Sequence, residues 1–478
     1  MQFIGRKKEL NILNESWRHE EAFIVVSGRR FVGKTALVQN FLNNKNAFYF
    51  SASNVSDLMN RSNFEKALKN HFGENSGSED QMSGQKTIAW KDYFKLYSEK
   101  SETGGKVLII DNFENLVIAD PDFLKIFKNA WQQQFSPNGV MVIIIMPNSA
   151  TLTTVLRSKS FMSQVTRRID LKPISFVELM KDYPHNDFNQ LMLLYAICGG
   201  VPHYWYAFDN CVDDKNFKLA IERNFMDPHG ELFEEAPALL NQDVWDFLEY
   251  QTILVALSEG MTAISSIAAF TGYKQALVEE RLDNLMTLGY VSKDTSIVER
   301  RMFGRKRIVY RISDPMLSFW YTFIYPFYDA IKQGKSVKAK KKLKTYFAEY
   351  IQYWFKRVAT EIFLTASRQG SIPIECEDVG EYFNDSGDKI DIIGIDNKHK
   401  RIFLGDCTYG NQAYTKKKYD HFVENCKNIK ELKKAFRDYE WVYGIFSAYP
   451  FESELLDYSL ITKNVLLFNG ITIYSLNT

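Results

Sequence analysis

The sequence has few cysteines and no apolar run long enough to cross a membrane. Its five cysteines among 478 residues are odd in number, far apart and without the CxxC or histidine spacing of a zinc site. We therefore expect neither a disulfide framework nor structural zinc. The most apolar runs, residues 139–146 and 315–328, are shorter than the ~20 residues of a membrane helix. These absences indicate a globular protein of the reducing cytoplasm.

The chain also lacks an excess of charge of either sign. Its 59 Lys and Arg residues against 58 Asp and Glu residues give a formal net charge of +1. Contact with nucleic acid or lipid would therefore have to come from local patches. The start of the sequence has no apolar stretch that would serve as a signal peptide, which also favours a cytoplasmic location. The length, with 45% hydrophobic residues, is enough for about three domains.

Short apolar runs alternate with helical patterns in residues 1–172. An apolar run, a glycine loop, a helix-like stretch and a second apolar run follow one another in residues 23–50, which is the order of a parallel sheet. Two later runs, residues 106–112 and 140–147, are short and β-branched, as in central strands that are buried on both faces. We therefore predict an α/β core for this part of the chain.

The strongest motif is GRRFVGKT at residues 28–35, which fits G-x-x-x-x-G-K-[ST] and lies between an apolar strand and a helix. In such a loop, backbone N–H groups at the helix start bind phosphates, a lysine neutralises the β and γ oxygens, and a hydroxyl ligates Mg²⁺. A chance glycine loop would not be expected to show this complete pattern in this position. The sequence therefore predicts a site for ATP and Mg²⁺ formed by Gly28, Val32, Gly33, Lys34, Thr35 and Ala36.

An acidic residue ends the predicted strand at residues 106–112, where a nucleotide hydrolase needs one. Asp111 is placed to hold Mg²⁺ together with Thr35, although a turn residue is the simpler alternative. Hydrolysis also requires a group that orients and deprotonates the attacking water, and the amide of Asn112 can only orient it. Glu114 would supply the base if the strand continued that far. We assign Asp111, Asn112 and Glu114 to the catalytic region.

Residues 261–291 have the pattern of a helix, a tight turn at Gly272, a long helix and a strand. The basic stretch that follows is typical of a wing, so we predict a winged helix-turn-helix. The wing could bind DNA phosphates or enter a minor groove. Its cations are Arg300, Arg301, Arg305, Lys306 and Arg307. Because the long helix carries mixed charges and charge runs are usually solvated, a role as an interdomain connector stays open.

In their order along the chain, several segments resemble the archaeal-type ATPase family of P-loop proteins, which are relatives of the AAA+ and STAND classes. The segments are FIGRKKEL, GRRFVGKT, LIID, YAICGGVPHYW and ISDPMLSFWYTFIYP. The resemblance covers nearly the whole chain, and its C-terminal part is similar to PD-(D/E)xK nucleases. We place a P-loop ATPase core at 1–172, a helical lid at 173–240, a winged helix at 241–315, a linker at 316–344, and a restriction-endonuclease-like α/β domain at 345–478.

The resemblance also implies roles for single residues. It places Arg6 near the adenine and ribose edge of the nucleotide. Where the family usually has a glutamate after the strand aspartate, this chain has Asn112, and where the family tends to have an arginine it has Gln164. Arg167 or Arg168 would be neighbouring substitutes. Because such an arginine stabilises the charge of the transition state, its loss would slow phosphoryl transfer.

Two predicted strands near the C-terminus, residues 389–396 and 401–410, carry Asp391 and Asp406. These match the two carboxylates that a PD-(D/E)xK nuclease, which this part of the chain resembles, places around Mg²⁺. Thr408 stands where that class has a lysine, and Lys356 stands where an upstream helix would supply an acid. Lysines at 416–418 would be the substitutes. We predict Asp391 and Asp406 as metal ligands, with a non-cleaving binding module as the alternative and cleavage not expected.

These patterns together predict an ATP-binding protein that acts as a nucleotide-dependent switch with slow hydrolysis. We also predict that the wing contacts DNA and that the protein binds an unidentified protein partner. Two alternatives remain open at this point. One is an ATP-regulated DNA-processing enzyme with a metal-dependent nuclease domain. The other is a protein-interaction scaffold that uses the nucleotide structurally.

Overall fold

The computed structural model divides the chain into two compact units. The first comprises Met1–Ile174 with Val201–His203, and the second comprises Ser175–Gly200 with Tyr204–Thr478. Each unit is described by itself below. The residues described are 3–18, 22–43, 45–73, 88–100, 106–148, 150–183, 187–208, 214–244, 246–298, 301, 308–384 and 387–476.

The first unit contains a five-stranded sheet in the order β2-β3-β4-β1-β5. Every neighbouring pair in it is parallel, which confirms the predicted α/β core. The strands are β1 (Phe23–Gly28), β2 (Ala47–Ser51), β3 (Lys106–Asp111), β4 (Val140–Pro147) and β5 (Arg167–Leu171). Since strand residues alternate between faces, Phe23 and Val25 pack into one apolar cluster and Ile24 and Val26 into another. The sheet is therefore buried on both faces.

Helices cover both faces of this sheet. They are α1 (Lys7–Arg18), α2 (Lys34–Phe41), α3 (Asp57–His71), α4 (Trp90–Lys100), α5 (Glu114–Ala119), α6 (Phe123–Ala130), α7 (Ala150–Arg157) and α8 (Lys159–Met162). Helix α6 continues as a π-helical turn, Trp131–Phe135, and a 3₁₀ turn, Ser136–Asn138. The face with α3, α4 and α6 is packed with aromatic rings, whereas the face with α1 and α2 is mostly aliphatic. The carboxyl ends of β1 and β3 lie at the same edge of the sheet, with β4 between the two strands.

The second unit begins with a helical region. Its helices are α9 (Phe176–Asp182), α10 (Phe188–Cys198), α11 (Pro202–Tyr206), α12 (Asp214–Phe225), α13 (Glu235–Asp243), α14 (Phe247–Ser258), α15 (Ile264–Thr271) and α16 (Gln275–Leu288). The first residues of α11 belong to the first unit. Gly272 ends α15 with a φ of 74°, a left-handed conformation that glycine adopts without steric cost. Strands β6 (Val291–Thr295) and β7 (Ile308–Ile312) then pair antiparallel.

The lysine-rich segment at 335–344, predicted as part of a linker, is helical for most of its length. It opens the 32-residue helix α19 (Val337–Arg368), which follows α17 (Pro315–Phe319), a π-helical turn (Trp320–Ile324), a 3₁₀ turn (Tyr325–Phe327) and α18 (Tyr328–Lys332). The linker prediction for 316–344 is therefore wrong. Lysines are good helix formers, and apolar residues such as Ala339 and Leu343 give this segment a buried side.

The chain ends in a six-stranded mixed sheet in the order β13-β12-β11-β10-β9-β8. The strands are β8 (Asp378–Phe383), β9 (Lys389–Asp396), β10 (Arg401–Thr408), β11 (Glu440–Ser447), β12 (Val465–Asn469) and β13 (Thr472–Tyr474). Its helices are α20 (Lys416–Asn428), α21 (Lys430–Ala435) and α22 (Ser453–Ile461). Strands β9 and β10 form the predicted antiparallel pair. Among the described residues, no helix has the length and apolarity to cross a membrane.

Candidate functional site

The phosphate loop joins the end of β1 to the start of α2 and depends on two glycines. Gly28 has a φ of 154°, and a Cβ added there would lie 2.6 Å from the carbonyl oxygen of Leu171. Gly33 precedes α2 with a φ of 94°. Side chains rarely tolerate either backbone conformation. The glycines therefore let the loop turn tightly and direct the N–H groups of the first turn of α2, including those of Thr35 and Ala36, to one point.

Two cations hold the backbone of this loop. The Lys34 Nζ donates to the carbonyl oxygens of Gly28 at 3.0 Å and Arg29 at 2.9 Å. The Arg6 guanidinium is buried and donates through Nη2 to the carbonyl oxygen of Val32 at 2.9 Å. The expected position of Arg6 at the adenine edge stays a prediction, whereas its contact with the loop backbone is part of the structure. Arg6 therefore fixes the shape of the loop.

The carboxylate of Asp111 gathers three donors at the end of β3. Its Oδ2 accepts from the Thr35 hydroxyl at 2.7 Å and from the Tyr49 hydroxyl at 2.5 Å, and its Oδ1 accepts from the Asn112 N–H at 2.8 Å. The structure thus brings Thr35 and Asp111 together as predicted. Burial, followed by the adjacent carboxylate, raises the pKa of Tyr49 well above its usual range. Sequence reasoning missed Tyr49, and its only signal was its place on the strand beside β3.

The strand does not continue to Glu114, so the condition under which this residue would point to the site from the strand is not met. Strand β3 ends at Asp111, Asn112 turns the chain with a φ of 53°, and Glu114 is the first residue of α5. The Asn112 side chain instead donates to the Ser51 hydroxyl at 3.0 Å. This contact ties the amide to the end of β2.

Glu114 nevertheless lies in the electrostatic environment of the phosphate loop. The side chain is buried, and its Oε2 has no hydrogen-bond partner among the described residues. Burial raises the pKa of this carboxyl to about 7, a rise that Asp111 reinforces and that Arg30 and Lys34 oppose. A buried carboxyl with a pKa near neutrality has the properties of a general base.

The proposed substitutes for the missing arginine lie away from the loop. Arg167 pairs with Ile24 at the amino end of the sheet, whereas Leu171 pairs with Gly28 at the loop. At ~3.3 Å per strand residue, four residues separate Arg167 from the loop by roughly 13 Å along the strand. Gln164 accepts from the side chain of Gln132 at 3.2 Å. The structure therefore does not support Arg167 or Arg168 as a phosphate ligand within one chain.

An aromatic contact joins the loop to the segment Val201–His203 within the first unit. Phe31, in the loop with a φ of 64°, stacks on His203 with ring centroids 4.3 Å apart and an interplanar angle of 19°. This contact could not be predicted from the sequence, because Phe31 and His203 are far apart in the chain. It brings the start of α11 to the phosphate loop.

The two C-terminal aspartates lie opposite each other on β9 and β10, one step beyond the pair Ile392 and Gly405. Burial raises the pKa of Asp406 to about 6, and its Oδ2 accepts from the Tyr414 hydroxyl at 2.8 Å. The Lys356 Nζ lies 3.4 Å from Asp391 Oδ1.

These surroundings do not fit the divalent cation predicted for Asp391 and Asp406. An ammonium already faces the Asp391 carboxylate, and the other carboxyl, Asp406, is bound to the Tyr414 hydroxyl. In the part of the chain that the structure describes, no group of three or more His, Cys, Asp or Glu side chains could hold a metal.

The residues predicted to contact DNA divide into two groups. Arg300, Arg305, Lys306 and Arg307 lie outside the described residues. Arg301 donates to the Asn397 side chain at 2.9 Å and to the Tyr439 hydroxyl at 2.7 Å, and its guanidinium lies 5.0 Å from the centre of the Phe436 ring. The guanidinium of Arg301 is therefore engaged by the C-terminal sheet region.

The long helix α16 also offers little positive charge. Its Arg281 forms ion pairs with Asp246 at 2.9 Å and Glu249 at 2.7 Å, while Glu279 and Glu280 are exposed. Acidic side chains repel a phosphate backbone. The exposed part of this helix is thus unlike a phosphate-binding face.

The loop, the Thr35–Asp111 oxygen pair and the parallel sheet define a nucleotide-binding domain of the ATPase class. Comparison with protein families agrees with this class. Residues 3–208 match an ATPase domain found predominantly in Archaea, and residues 320–421 match a family of archaeal and bacterial proteins of unknown function. Two segments of the chain are therefore similar to known families, one to an archaeal ATPase domain and the other to a family of unknown function.

Two proteins of Methanocaldococcus jannaschii are similar to this chain, one over most of its length and one over a short segment. One uncharacterized protein is 25% identical over 415 residues, which cover 84% of this chain and 86% of the relative. An uncharacterized ATP-binding protein is 46% identical over 46 residues, which are 9% of this chain and 78% of that protein. Among solved structures, a Walker-type ATPase of Pyrococcus abyssi is similar over 67% of this chain and 96% of its own, with 16% identity and a TM-score of 0.49.

Proposed function

We propose that this protein binds ATP with Mg²⁺ and hydrolyses it slowly, so that nucleotide occupancy acts as a switch. The observation that carries the proposal is the 2.7 Å contact between the Thr35 hydroxyl, next to the glycine loop, and the Asp111 carboxylate at the end of β3. The match of residues 3–208 to an archaeal ATPase domain supports the nucleotide.

The residues around Asp111 fit a hard cation and a polyphosphate. The Thr35 hydroxyl and the Asp111 carboxylate converge at 2.7 Å, and oxygen ligands of this kind are those that Mg²⁺ prefers. These two residues would hold the ion, which would withdraw charge from the phosphate oxygens. Lys34, now held by two loop carbonyls, would exchange them for phosphate oxygens.

The slow rate follows from the available bases. Asn112 cannot take a proton, and its side chain is bound to Ser51. Glu114 can take one, since its pKa is raised to about 7, but it lies on a helix and not directly after Asp111 on the strand. The chain also has Gln164 where the resembling family tends to carry an arginine. A protein with these groups retains ATP longer than an efficient hydrolase does.

The proposal is tested by ATP binding and hydrolysis of the purified full chain with Mg²⁺. We expect Lys34→Ala to lose binding, Glu114→Gln to bind ATP without hydrolysing it, and Asn112→Glu to hydrolyse it faster than wild type. Calorimetry measures the first property and phosphate release the others. Rapid hydrolysis by wild type that survives Glu114→Gln would contradict the proposed base and the switch.

Two other functions are tested by the same preparation. A DNA-processing enzyme would nick plasmid DNA in the presence of Mg²⁺ and ATP, and Asp391→Asn would abolish nicking. A scaffold would bind its protein partner equally with and without ATP. The engaged Arg301 and the acidic α16 give DNA contact less support than nucleotide binding has.

A further inference from the structure

The second unit contains a cluster of charged side chains, most of them partly buried, where β7, β8, β9 and α19 approach one another. Lys356 of α19 forms ion pairs with Glu381 of β8 and with Asp391 of β9, the latter at 3.4 Å. Glu381 also accepts from Arg311 of β7 at 2.5 Å, and Arg311 reaches Asp294 of β6 at 2.9 Å. These contacts run without interruption from the β6–β7 hairpin to the sheet.

The charges of the cluster balance without any added ion. Asp294, Glu381 and Asp391 supply three negative charges. Arg311, Lys356 and Arg357 supply three positive ones, since Arg357 lies 3.7 Å from Asp294. Buried charges are tolerated in proteins when they are paired in this way.

The ionisation of the central groups agrees with this balance. Burial favours the neutral form of Lys356, but Glu381 and Asp391 outweigh burial and the pKa of the lysine is raised. Burial likewise favours protonated Glu381, yet Lys356 and Arg311 hold the pKa of that carboxyl below its usual range. Lys356 and Glu381 therefore stay charged at neutral pH.

Lys356 occupies the position that a cation would need. Its ammonium lies between the carboxylates of Glu381 and Asp391, and α19 is anchored close by, because the Gln352 side chain donates to the carbonyl oxygen of Cys407 at 2.9 Å. A second cation at the same carboxylate oxygens would meet like-charge repulsion in surroundings of low polarity, where charge interactions are strong.

We propose that the ammonium of Lys356 is the resident cation of this site, in the place of a divalent metal. The carboxylates of Glu381 and Asp391 then serve to fasten α19 and, through Arg311, the β6–β7 hairpin to the C-terminal sheet. The site binds no Mg²⁺ or Mn²⁺ as long as the lysine is present. This inference concerns the second unit and does not depend on ATP binding by the first.

Mn²⁺ binding to the full chain tests the proposal, with electron paramagnetic resonance used to count free Mn²⁺. All proteins carry Asp111→Asn, so that the phosphate loop contributes less metal binding, and no nucleotide is added. We expect Asp391→Asn to leave Mn²⁺ uptake unchanged in the protein that keeps Lys356. We expect Lys356→Glu to gain about one bound Mn²⁺ per chain, and Asp391→Asn to remove that gain.

The matched control is Lys340→Glu, which reverses a charge on the same helix at an ion pair with Glu222 and should gain no Mn²⁺. The proposal would be overturned if the protein that keeps Lys356 bound Mn²⁺ and lost this binding with Asp391→Asn. A folded Lys356→Glu variant without Mn²⁺ affinity would also overturn it. If that variant does not fold, the Asp391→Asn comparison in the Lys356 protein alone decides.

Discussion

The rate of ATP hydrolysis is expected to rise with pH through the ionisation of Glu114. The pKa of this carboxyl is raised to about 7 by burial, and a general base acts in its ionised form. About one tenth of the carboxyl is ionised at pH 6 and about nine tenths at pH 8. The hydrolysis step should therefore be roughly tenfold faster at pH 8 than at pH 6.

Single-turnover hydrolysis of bound ATP, measured from pH 5.5 to 8.5 with saturating Mg²⁺, isolates this step from product release. Glu114→Gln keeps the size of the side chain but cannot take a proton, so it should lower the rate by about 10²- to 10⁴-fold. The residual hydrolysis rate of Glu114→Gln should not rise tenfold between pH 6 and pH 8. A wild-type rate that is flat between pH 6 and 8, or a variant with the wild-type profile, would refute the role of Glu114.

The same carboxyl should affect stability in the absence of nucleotide. Its pKa is raised from 4.5 to about 7 in the folded chain, so its contribution to the free energy of unfolding is fully present below pH 4.5 and is lost as the pH rises through about 7. At about 1.36 kcal/mol per pKa unit, the loss approaches about 3 kcal/mol at alkaline pH. Glu114→Gln should remove this pH dependence, which thermal unfolding at pH 5 and pH 8 would measure.

Three further outcomes follow from the described contacts. Gly28→Ala should lower the melting temperature and abolish ATP binding, because the added Cβ would lie 2.6 Å from a backbone oxygen. The control is Gly139→Ala, at a position with open space, which should lower the free energy of unfolding by about 1 kcal/mol. Tyr49→Phe should weaken ATP binding measured by calorimetry with Mg²⁺ but not without it, because the hydroxyl orients Asp111. Arg301→Ala should leave DNA affinity and its salt dependence unchanged, since Asn397 and Tyr439 already engage the guanidinium.

The sequence was sufficient for the features that depend on neighbours along the chain. The GRRFVGKT motif predicted the phosphate loop, because a strand, a glycine turn and a helix start are determined locally. Short β-branched runs predicted β3 and β4 to within one residue. The pairing of β9 with β10 followed from two apolar runs and the polar turn between them. The proximity of Thr35 and Asp111 followed from an aspartate at the end of a predicted strand, where a nucleotide site of this kind holds Mg²⁺.

Tertiary structure decided which distant side chains meet. Tyr49 reaches Asp111 across 62 positions, and Lys356 reaches Glu381 across 25. At two places the local pattern did not decide the structure. Asn112 turned the chain, so Glu114 lies on a helix and not on a strand, and the lysine-rich segment at 335–344 became mostly helix because its apolar residues are buried. Periodicity predicts which side of an element is buried, but the partners of a buried charge depend on packing between elements.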